Sequence, residues 1–179
     1  MRSALLTILL LILTLSGFSQ FRNTTWVFDK QKVKKATADS LIAETDTSLV
    51  YSTTLGKWDT HLIFLFPDGT LTKGIYDLQL EHKSKKLYLD DYEKIRDVLT
   101  SKYGQPSTDR QYTWIDDQQK DNPAMHPYAV GKGDLMIRTA WKADYLNIEL
   151  LMKGGNNRID ISIRYSNPFD REQKAPDGF

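Results

Sequence analysis

Three segments toward the C-terminal end alternate apolar and polar side chains: DLMIRTAWK (134–142), YLNIELLMK (145–153) and RIDISIRYS (158–166). A period of two is the spacing of one face of a β-strand. The breaks at Ala143-Asp144 and between Gly154 and Asn157 carry turn residues, so an antiparallel meander is expected. A two-residue turn at Ala143-Asp144 sets Trp141 opposite Leu146, Thr139 opposite Ile148 and Ile137 opposite Leu150. A turn centred on Gly155-Asn156 sets Leu150 opposite Ile161, Ile148 opposite Ile163 and Leu146 opposite Tyr165. Apolar then meets apolar across all three strands. The other face carries Arg138, Lys142, Asn147, Glu149, Asp160, Ser162 and Arg164, which reads as a layer facing water.

Earlier in the chain, SLVYSTTL (48–55) is rich in β-branched and aromatic residues. THLIFLFPDGTLTKGIYDL (60–78) reads as two strands joined at Pro67-Asp68-Gly69, where proline presets the first turn angle and glycine accepts a left-handed one. Two helices are expected. A short one is capped by Asp29, with Val33 and Ala36 turned inward. A longer one shows Tyr92, Ile95, Leu99 and Tyr103 at helical spacing with Val98 beside them. Asp90 and Glu93 form a capping box for it, and Gly104 with Pro106 ends it. The pattern therefore predicts an α+β domain: an antiparallel sheet of about six or seven strands with two helices on one face. Helix followed by antiparallel strands occurs twice, without a convincing repeat in the residues themselves.

The N-terminal stretch changes the picture. Arg2 precedes an apolar run from Ala4 to Leu15, and Gly17-Phe18-Ser19 supply small residues around a cleavage point. This is the three-part form of a secretory signal peptide, and the run falls short of the roughly 20 apolar residues of a membrane span. The expected organisation is a signal peptide over 1–19, one domain over 20–167 and a tail over 168–179. Cleavage near Ser19/Gln20 leaves no transmembrane span, and the mature chain is expected in the periplasm or outside the cell. The chain has no cysteine, which removes disulfides, thiolate nucleophiles and a lipid-bearing cysteine after the cut. Without Arg2, 23 basic residues stand against 23 acidic ones. Bulk charge therefore favours no nucleic acid, and the lysine clusters at 32–35 and 83–86 read as solvated faces.

Candidate chemistry is sparse. His61, His82 and His126 show no paired ligand spacing, so no metal site and no cofactor are expected. No nucleophile elbow, dinucleotide fingerprint or P-loop occurs; GKGD (131–134) is too short and leads into a strand. Glu149 and Asp160 would lie diagonally close on the wet face, where Arg138 and Arg164 explain them as cross-strand charge pairs. The long connection IDDQQKDNPAMHPYAVGKG (115–133) is the one place where His126 lies near Asp116, Asp117 and Asp121, and it is flanked or occupied by Trp114, Met125 and Tyr128. Loops of this length are often functional. Trp114, Met125, His126 and Tyr128 are accordingly the candidate binding residues, and no catalytic residue is assigned.

The opening TTWVFDKQKVKKA resembles the W-G-M-[S/T]-x-x-[E/Q]-V entry to the first helix of small exported α+β domains, among them outer-membrane-assembly lipoproteins and the β-lactamase-inhibitor-like fold. Trp26, Asp29, Gln31 and Val33 match approximately, while Val27 and Phe28 stand in place of glycine and methionine. KYGQP (102–106) followed by Trp114 is similar to a helix-to-strand junction of envelope proteins. The resemblance implies a non-enzymatic envelope role, from which the missing lipid-bearing cysteine departs. The function expected is an exported, soluble, non-catalytic domain that binds another envelope component, with an envelope protein as the partner considered, through the wet sheet face or the 116–133 loop. Two alternatives stand beside it: a hydrolase or metal-dependent enzyme with its site near His126, and an inhibitor of an envelope enzyme.

Overall fold

The computed structural model describes residues 21–143 and 145–169; the expected signal peptide and all but the start of the expected tail lie outside the described residues. Among the described residues the fold is α+β, with one antiparallel sheet of eight strands and three α-helices. Helix α1 (Lys30–Ala36) leads into β1 (Ser40–Thr45), β2 (Ser48–Leu55), β3 (Trp58–Leu65) and β4 (Lys73–Leu78). Helix α2 (Lys85–Tyr103) leads into β5 (Thr108–Trp114), followed by a 3-10 turn (Pro123–Met125), α3 (His126–Lys132), β6 (Leu135–Ala143), β7 (Leu146–Gly155) and β8 (Arg158–Ser166). The strand order is β1-β2-β3-β4-β8-β7-β6-β5. Each half is thus a helix followed by a four-stranded meander, and the halves meet where β4 pairs with β8.

The strands exceed the number read from the sequence by one or two and the helices by one. Every residue of β1 is exposed, so no alternation marks it. In β5 a register shift between Thr108 and Gln111 interrupts the period, and Arg110 adopts φ 45° there. Helix α3 folds inside the long connection that reads as loop, with Pro127 in its first turn and Gly133 ending it in a left-handed conformation.

The register of the C-terminal meander differs from the expected one by two residues at both turns. Trp141 faces Ile148, Thr139 faces Leu150 and Ala143 faces Leu146, leaving two residues between the last pair. Ile148 faces Tyr165, Leu150 faces Ile163 and Gly155 faces Arg158. The second turn is Asn156-Asn157, both with positive φ (50° and 66°), the backbone of a tight hairpin whose twist matches its strands. A shift of two keeps every side chain on its own face, so hydrophobic alternation alone does not separate the two registers.

The longer helix also begins earlier than expected. Ser84 is its N-cap residue, six positions before the Asp90 of the expected box, and Glu93 is spent elsewhere. Both Glu93 oxygens accept from the Arg110 guanidinium, at 2.8 and 2.7 Å. Tyr92, Ile95 and Leu99 are buried as the spacing requires, whereas Val98 is exposed. Helix α1 matches its reading: Asp29 accepts a hydrogen bond from the Lys32 N–H at 2.8 Å, and Val33 is fully buried.

All three helices lie on one face. The Val130 carbonyl of α3 rests directly against Gly154 of β7, in space that any side chain at 154 would need. Phe21 similarly fills the space beside Gly74, in ring contact with Phe64, Tyr76 and Tyr165 across the β4–β8 joint. Helix α2 is fixed to β6 at two points. The Trp141 indole donates to the Gly104 carbonyl at 3.1 Å, and the Tyr92 hydroxyl meets Thr139 Oγ1 at 2.8 Å. Thr139 is fully buried, and its oxygen also accepts the Arg110 backbone N–H at 3.1 Å. One hydroxyl thereby satisfies a helix side chain and the irregular backbone of the edge strand. Thr139→Val keeps the shape and removes both partners. It is expected to lower stability by about 1–3 kcal/mol in urea denaturation, the cost of buried donors left without acceptors.

Candidate functional site

One face of the sheet is left uncovered by the described helices. Its residues follow from the register. One row across the strands runs Ala43, Val50, Ile63, Ile75, Arg164, Glu149 and Ala140. The next runs Ser52, His61, Asp77, Ser162, Leu151, Arg138 and Gln111. Seven inter-strand spacings of about 4.8 Å and about 20 Å along the strands give a face of roughly 700 Å². That is close to the roughly 800 Å² that each partner contributes to an interface of standard size.

The two halves of this face differ. On β2, β3 and β4 the directly paired Val50, Ile63 and Ile75 make a continuous apolar row, with Leu65 beside it, and all four are only partly buried. On β6, β7 and β8 the face is ionic. Arg138 Nε donates to Glu149 Oε1 at 2.6 Å, and its Nη1 donates to Gln111 Oε1 at 3.3 Å. Glu149 and Asp160 are not diagonal neighbours: the two-residue shift sets Asp160 opposite Lys153 and Glu149 opposite Arg164. Lys73, Arg138, Lys142, Lys153, Arg158 and Arg164 share the face with the carboxylates of Asp59, Asp77, Glu149 and Asp160, so cations outnumber anions. Burial pushes the Asp77 carboxyl up, against the hydrogen bond from Gln79 and the nearby charges of His61 and Arg164.

The candidate residues of the long connection lie on the other side. Tyr112 and Trp114 face the helix layer, because they pair with the core residues Ile137 and Leu135. The His126 ring packs on both, with centroids 5.4 Å from Tyr112 and 5.1 Å from Trp114, and its Nε2 lies 3.1 Å from the Lys120 carbonyl. Trp114 and His126 are thus brought together, with Met125 next in the chain and partly buried. Tyr128 is exposed, and no ring contact joins it to them. Asp116 accepts the Gln118 N–H at 3.1 Å. Among the described residues no three histidine or carboxylate side chains converge to hold a metal ion.

A second polar site does not show in the residue spacing. A cleft of about 300 Å³ lies between residues 57–59, residues 79–82 and Asp91. His82 Nε2 lies 2.8 Å from Asp91 Oδ2, and the amines of Lys94 and Lys57 are 3.5 and 3.9 Å from Oδ1. The His82 backbone N–H donates to the Tyr88 hydroxyl at 3.1 Å, and that hydroxyl donates to the Leu80 carbonyl at 3.3 Å. These bonds tie the segment after β4 to the first turns of α2. The paired bonds make the arrangement an anchor between that segment and the helix. The only signal for it in the chain is Ser84, which as N-cap places Asp91 on the buried side of the second helical turn.

Asp91 is 5% exposed. Burial pushes its carboxyl up, but the His82 hydrogen bond, the neighbouring Trp58 indole and Lys94 outweigh that, and the net shift is downward from 3.8. The Trp58 N–H faces this carboxylate from outside hydrogen-bond geometry. A lowered folded-state pKa means stability that is present above the unfolded value and lost as pH falls through the folded one. Asp91→Asn is therefore expected to cost about 1–3 kcal/mol at pH 7. The gap from wild type should close as the pH of the urea titration falls below 3.8. No family model, curated protein or solved structure matches this chain, so its functional reading rests on its own residues.

Proposed function

We propose that this chain is exported and acts as a non-catalytic binding domain of the cell envelope, docking another envelope protein on the helix-free face of its sheet. The observation that carries the reading is the Val50–Ile63–Ile75 row, a band of apolar side chains on a face that no described helix covers. An apolar centre bordered by ion pairs and hydroxyls has the composition of a protein interface, and the size of the face suits one standard partner. The apolar run at 4–15 behind Arg2 supports export. No described helix is long and apolar enough to cross a membrane.

Site-specific photo-crosslinking in cells tests the reading. A benzophenone side chain at position 63 is expected to trap one discrete adduct, with a mature chain beginning near Gln20. The same probe at Val98, exposed on the outer side of α2, is expected to trap none. Adducts from position 98 with none from position 63 would overturn the proposal.

A further inference from the structure

Resting on that reading, we infer that the partner presents a carboxylate, set among apolar residues, and that Arg164 is the side chain that receives it. Arg164 sits at the boundary between the two halves of the face, paired with Ile75 on one side and Glu149 on the other. Glu149, the carboxylate directly opposite, is committed to Arg138 at 2.6 Å. The other close carboxylate, Asp77, acts on Arg164 only through its charge and takes its side-chain hydrogen bond from Gln79 at 3.1 Å. Arg164 Nε is buried with no hydrogen-bond partner, and among the described residues the guanidinium makes no ion pair. A planar fork of donors held half-buried without an acceptor is matched by a bidentate carboxylate. The surplus of cations on the face favours the same sign of partner. The neighbouring Ile75, Ile63 and Val50 offer apolar contacts beside the charge, so the chemistry recognised is an acidic residue flanked by valine- or leucine-like side chains. Burying such a pair against apolar neighbours lowers the local dielectric and strengthens the contact.

Three acetylated, amidated hexapeptides serve as probes, identical in sequence (VTXVTV) except for Glu, Gln or Lys at X. Binding to the purified full chain is followed by NMR through the arginine Nε–H signals and by fluorescence anisotropy. The glutamate peptide is expected to bind about tenfold more tightly than the glutamine peptide, as for a charged over a neutral hydrogen bond, and to shift the Arg164 Nε–H resonance. Arg164→Met should abolish the discrimination, Arg164→Lys should restore part of it, and far-UV circular dichroism should show both variants folded. Ile63→Asp should weaken all three peptides. Equal binding of the three by wild type, lost in Ile63→Asp, would overturn the carboxylate anchor and leave the docking face standing. No binding of any peptide would overturn both. So would tighter binding to phosphatidylglycerol vesicles than to the glutamate peptide, or self-association in sedimentation that Ile63→Asp removes.

Discussion

Alternation along eight antiparallel strands sends every second side chain to a layer with the three described helices against it and the others to a layer that no described helix covers. The two layers obey different rules. On the helix side, apolar volume and fully paired polar atoms are required, and Trp141, Leu150, Ile161 and Thr139 supply them. On the other side, a side chain is held only by its strand neighbours. Leu151, Ala140 and Ser162 are nevertheless buried there, as expected where long arginine and glutamate side chains stand at neighbouring positions. The ionic half of the face is therefore a lid built from stems as much as a set of charges. The apolar half, at Val50, Ile63 and Ile75, is only partly buried.

The faces were legible in the residue pattern and the pairings were not. Period-two alternation assigned Ile137, Thr139, Trp141, Ile148 and Leu150 to the buried layer correctly, because any shift by an even number keeps the layer. Which residue faces which depends on the turns. Asn156-Asn157, able to adopt positive φ, outcompetes the pair one position earlier. The edges escaped for a related reason. Strand β1 has one paired side and no buried face, and the irregular backbone at Arg110 breaks the period of β5.

The candidate site was legible in the same uneven way. Arg138, Glu149, Asp160 and Arg164 were placed on a wet face by alternation, and they stand on it. Val50, Ile63 and Ile75 carry no sign of exposure in the sequence: each is a β-branched residue in a strand, and they are only partly buried because no described helix lies on their face. His82 and Asp91 are nine positions apart with a helix start between them, so their contact depends on where that helix begins. His126 owes its place to two aromatic rings of β5, a strand the pattern did not reveal.

The joint between β4 and β8 carries a consequence for how the molecule assembles. Hairpins such as β7–β8 join residues close in sequence and form on a scale of microseconds. Lys73 and Ser166 are roughly ninety residues apart, and closing so large a loop must be compensated by contacts that exist only once both halves are present. Phe21, wedged over Gly74 against Tyr165, belongs to that late set. The halves are thus expected to form early and separately, with the central seam as the slow step. A chain that delays its seam in this way stays loose longer, with the facing edges of β4 and β8 unpaired until it closes.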